Sequence, residues 1–163
     1  RSSAASDVYK RQMINLLKQK QNDLKQEHEN KEQQIEEREQ AIARLKEEKQ
    51  QLLNWLFAQS SIYKRVITLS GQTTTNKKQM KALTTTEQEQ LKKTVFGIYQ
   101  SYISFLQNEY PRLTEDDKLL LCLQETSLES LSIAICFGYT DTHPLNQKKY
   151  RMKERMSREE SKV

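Results

Sequence analysis

"SIAICFGYTDTHPLNQKKYRMKERM", Ser132 to Met156, decides how this chain is read. It holds a short apolar segment, one glycine, a polar turn with a proline, and then a cation-rich segment of helical period. Leu131, Ile133, Ala134 and Phe137 supply the apolar content of a short helix, and Gly138 stops it. "YTDTHP" turns the chain. Pro144 suits the first turn of the next helix, where its missing N–H leaves nothing unsatisfied, and Thr142 or His143 is placed to cap it. In that helix Leu145, Met152 and Met156 form an inward stripe, interrupted by Lys149. Asn146, Gln147, Lys148, Arg151, Lys153 and Arg155 fall on the opposite face and flanks. Ala134, four residues before Gly138, is the small residue that a close helix crossing needs before a sharp turn. The pattern is a helix-turn-helix.

Working outward, "LTEDDKLLLCLQE" begins another helix: Thr114 caps it, three carboxylates fill its first turn, and Leu119, Leu120 and Leu123 follow. Thr126 or Ser127 would cap the helix ending at Gly138. Further upstream, a helix opens at Thr85 or Thr86 with Glu87 and Glu89 at its positive end, and Pro111 ends it. Leu91, Val95, Ile98, Tyr102 and Phe105 form one stripe along it, better suited to core packing than to base stacking. "SGQTTTNKKQ", Ser70 to Gln79, reads as a loop.

From Met13 to about Phe57 a heptad runs without a phase slip. With Ile14 as a, the a positions are Ile14, Gln21, His28, Ile35, Ile42, Lys49 and Leu56. The d positions are Leu17, Leu24, Lys31, Arg38, Leu45 and Leu52. Ile at a with Leu at d favours parallel pairs, while Gln21, His28, Lys31 and Arg38 weaken the centre of the seam. The expected architecture is all-α: a long N-terminal coiled-coil helix over 13–69, a loop over 70–84, and a small helical domain over 85–157 ending in the helix-turn-helix (114–157). A tail follows over 158–163.

Residues 2–12, "SSAASDVYKRQ", are what a transposase-type sequencing adapter encodes. They are expected to be disordered, and the rest to be a C-terminal fragment. Leaving out Arg1, Asp7, Lys10 and Arg11 takes the formal charge from +5 to +3. Residues 146–163 carry seven Lys or Arg against three Glu, so the positive charge is concentrated at that end. Cys122 and Cys136 sit among apolar residues at helical spacing and read as buried thiols of a reducing cytoplasm. No phosphate-cradling glycine loop or paired nucleophile and base is present, so no catalysis is expected, nor any cofactor, metal or small-molecule ligand.

Thr114 to Met156 resembles the LuxR/GerE-type helix-turn-helix. Leu113-Thr114, Ile133-Ala134, Phe137, Tyr139-Thr140, Leu145, Met152, Arg155 and Met156 stand at matching places. "YPRLTEDDKLLLCL" and "KKYRMKERM" are similar to a subgroup in which tetratricopeptide repeats, a membrane helix and a coiled coil precede this motif. The resemblance implies a DNA-binding transcription regulator acting in the cytoplasm, with double-stranded DNA as partner and an anchor upstream.

Its third helix would enter the major groove. Lys148 and Arg151 would read guanine edges, and Asn146 and Gln147 would contact adenine or phosphate. Lys149, Lys153, Arg155 and Arg158 would neutralise phosphates. The coiled coil would pair two copies on two half-sites. Pro144 stands where the family has Thr, Ser132 where it has Glu, and the turn is one residue longer. These departures motivate an alternative, a coiled-coil interaction module whose degenerate helix-turn-helix docks a protein.

Overall fold

The computed structural model describes residues 2–72 and 79–160, with side chains left out at 2 and 158–160. The fold is all-helical, and among the described residues there is no strand. The chain forms two compact units, Arg1–Lys49 and Gln50–Val163. The described residues of the first are all helix, part of α1 (Ser2–Ala58), and its large apolar side chains from Val8 to Leu45 are exposed. The helix starts at Ser2, so the segment expected to be disordered is helical. Once a helix is nucleated, Ala, Lys, Arg and Gln extend it at little cost.

The second unit begins with the last turns of α1. The coiled-coil helix expected to run to residue 69 stops at Ala58. The Ser60 hydroxyl accepts the Tyr63 N–H at 3.2 Å and donates to the Phe57 carbonyl at 2.6 Å, capping a separate helix, α2 (Ser61–Ser70). The break turns Ile62, Val66 and Leu69 into the core beside Phe57. Residues 73–78 of the stretch expected as a loop lie outside the described residues, but its two ends do not. Leu83 is buried, and its N–H donates to the Ile135 carbonyl at 3.1 Å. The Gln72 amide bridges the loop base, donating to the Leu69 and Lys81 carbonyls and accepting the Lys81 N–H.

Helix α3 (Thr85–Ile98) is capped one residue earlier than expected. The Thr84 hydroxyl accepts the Glu87 N–H, and the Glu87 carboxylate accepts the Thr84 N–H, a capping box. The Thr84 backbone bond leads the interactions that hold the Glu87 carboxyl below its usual range. The single helix expected to run on to Pro111 is broken at Tyr99 (φ −101°, ψ 35°), two residues after Gly97, and α4 (Gln100–Glu109) follows. Tyr99 is buried, meets the Phe57 ring edge-on and donates its Oη–H to Asn54 Oδ1 at 2.7 Å. Helix α5 (Glu115–Gln124) opens on a capping box between Thr114 and Asp117, with Thr114 capping as its sequence predicts. It lies at the centre of the unit, packed on α3, α4, α6 (Ser130–Cys136) and α7 (His143–Glu160), while α2 covers α6. Glu129 takes the N-cap position of α6, not Thr126 or Ser127: Thr126 Oγ1 instead donates to the Leu123 carbonyl and accepts the Leu128 N–H, closing the α5–α6 turn.

Candidate nucleic-acid interface

The turn between α6 and α7 is built on Gly138. Its φ is +84°, the left-handed region that an L side chain resists. The Gly138 N–H donates to the Ile135 carbonyl at 3.1 Å and the Tyr139 N–H reaches back to Ala134 at 2.9 Å, a Schellman arrangement that satisfies the last carbonyls of α6. Ala134 is fully buried at the crossing. Asp141 Oδ1 accepts the His143 N–H, and the Thr142 carbonyl accepts the Asn146 N–H, so α7 starts with Pro144 inside its first turn.

Leu145 and Met152 anchor α7 in the core, with Met156 packed partly against it. Two cations expected on its reading surface lie on its inward flank. Arg155 donates from Nε and Nη2 to both oxygens of Asp117, each at 2.6 Å, and Asp117 is 1% exposed. Burial alone would raise Asp117, but the Arg155 guanidinium and the Thr114 N–H overcome it and hold the carboxyl below its usual range. Lys148 directs Nζ to Asp116 at 3.4 Å and lies 5.0 Å from the centroid of the Phe137 ring. Asp116 also holds Lys92 at 3.3 Å. The geometry therefore gives Lys148 and Arg155 anchoring positions, because the acidic first turn of α5 faces them. The sequence shows these carboxylates only as the first turn of a capped helix, because nothing local marks α7 as the element packed against them.

The outward face of α7 is different. His143, Asn146, Gln147, Tyr150 and Arg151 line an open depression of about 430 Å³ along its N-terminal half. Lys153 is exposed beyond them, and Lys149 is half-buried on the flank. The side chain of Arg158 lies outside the described residues. Tyr150, 65% exposed, and His143 were not among the residues expected here. The signal for both was present in the sequence: they stand three to four residues from Asn146 and Gln147 on the side opposite Leu145 and Met152.

Cys122 and Cys136 are buried and unbridged, and burial pushes each thiol up to about 12. Among the described residues no group of three or more His, Cys, Asp or Glu is placed to hold a metal ion, and no helix is long and apolar enough to cross a membrane. Comparison with protein-family models, curated proteins and solved structures finds no match to this chain.

Proposed function

We propose that this chain is a DNA-binding transcription regulator that works as a homodimer, with the outward N-terminal half of α7 in the major groove. The observation that carries the reading is the division of labour on α7. Its inward cations are taken up by Asp116 and Asp117, which leaves a polar outward face with amide and guanidinium groups at adjacent turns. Asn146 and Gln147 have the paired donor and acceptor that suit adenine N6 and N7, and Arg151 has the fork that suits guanine O6 and N7. Lys149, Lys153 and Arg158 supply charge for phosphates on either side. Two copies paired through α1 would present two such helices to half-sites about one helical turn apart, roughly 34–36 Å. On this reading the chain works in the compartment that holds the chromosome.

Selection from a random duplex pool with the full chain tests the reading. The expected result is an enriched motif of two related half-sites. Recovery of an unenriched pool at moderate salt would overturn sequence-specific recognition. It would favour the interaction-module reading, in which the same face docks a protein.

A further inference from the structure

The last turns of α1 are apolar on both sides. On one side Phe57 is fully buried and Leu53 packs against the core. Asn54 accepts the Tyr99 hydroxyl and, like Gln50, reaches the Glu125 carbonyl at 3.4 Å. These bonds fix which side faces inward. On the other side Leu52 is 57% exposed, Trp55 57% and Leu56 43%. Three large apolar side chains at i, i+3 and i+4 form one continuous patch, and a helix that is apolar all round is normally covered all round.

We propose that a second copy of this chain covers the Leu52–Trp55–Leu56 face, in parallel, and that the dimer is anchored here rather than in the N-terminal half of α1. The heptad register points to a second copy. Leu52 and Leu56 occupy the d and a positions of the repeat that begins at Ile14, and Trp55 takes the flanking g position. From Ile35 to Leu56, five of the seven a and d residues are apolar; from Ile14 to Lys31, only three of six are.

Flanking charge points the same way. In a parallel pair the g residue of one chain meets the e residue five positions on in the other. Near the patch, within α1, these pairs are Glu48 with Leu53 and Ala41 with Lys46, neither of them like-charged. Farther up, Lys20 meets Lys25 and Glu27 meets Glu32, and both pairs repel. The seam is self-compatible where it joins the helical unit and self-repelling away from it.

The inference rests on the dimeric part of the proposed function and is independent of DNA. Trp55 is the only tryptophan, so its emission reports on this face without any substitution. Emission spectra of the full chain, taken from about 0.1 to about 100 µM beside sedimentation equilibrium on the same samples, span the range of ordinary dimer affinities. The expected result is a shift of Trp55 emission to shorter wavelength in step with dimer formation. A Leu52→Glu, Leu56→Glu double variant is expected to weaken the dimer by roughly a hundredfold, through lost apolar burial on both copies. Its helicity by circular dichroism should stay near that of wild type. Leu24→Glu should weaken it by less than about tenfold, because that turn contributes little. A dimer that forms with Trp55 emission unchanged, or that Leu24→Glu breaks as fully as the double variant, overturns the placement of the interface and leaves dimerisation standing. A chain that stays monomeric throughout overturns both.

Discussion

Gly138 turns the chain into α7, and Asp117 holds the inward flank of that helix through Arg155. An alanine at Gly138 would adopt a left-handed backbone, and its Cβ would fall 2.6 Å from Gln88 Nε2, whose amide must then leave the Leu83 carbonyl. Gly138→Ala is expected to lower stability by about 1–2 kcal/mol, read as a shift in the urea midpoint. Asp117 is a carboxylate whose pKa is depressed in the fold, so its contribution is complete above the ordinary carboxylate value of 3.8 and is lost as pH falls through the lower, folded value. Asp117→Asn should therefore destabilise at neutral pH and flatten the acid limb of the stability profile below 3.8. An acid limb as steep as wild type would show that Asp117 does not carry it. Arg155→Ala removes the partner and leaves the buried carboxylate uncompensated. A loss of about 3 kcal/mol is expected, at the low end for buried pairs because the arginine side chain is 31% exposed.

At the scale of elements, the first turn of α5 has two roles. It caps its own helix through Thr114 and Asp117, and through Asp116 and Asp117 it holds the flank of α7. Thr114→Ala is expected to cost about 1 kcal/mol as a lost cap. The helix-turn-helix was legible in the sequence because its signals are local: Thr114 before three carboxylates, Gly138 after an apolar run, Pro144 in a first turn. The ends of other helices were less so. Ser60 and Thr84 each stand beside further serines or threonines of equal capping ability, and the choice between neighbours is made by which register buries Phe57, Ile62 and Leu83. At the break, Tyr99 hydrogen-bonds Asn54, 45 residues away, a contact that no local pattern announces. The inward role of Lys148 and Arg155 was hidden for the same reason. Their partners lie 32 and 38 residues upstream, and a cation on a helical wheel looks alike whether it faces solvent or a carboxylate.

For the whole molecule, the division at Lys49 and Gln50 places the end of α1 inside the helical unit, and the heptad continues into that unit with Leu52 at d and Leu56 at a. A dimer anchored there would act within the same unit as α7, and so would fix the spacing of two α7 helices directly. On the proposed function the outward face of α7, and not its inward cations, meets DNA. Fluorescence anisotropy of the full chain on a mixed-sequence duplex across a salt series tests it most directly, beside an Asn146→Ala, Gln147→Ala, Arg151→Ala variant and a Lys148→Ala variant. Steep salt dependence is expected for wild type and a loss of about tenfold or more for the triple variant. The salt slope of that variant should be shallower, since Arg151 is removed, and Lys148→Ala should change little. Equal, weak, salt-insensitive binding by all three proteins would contradict it.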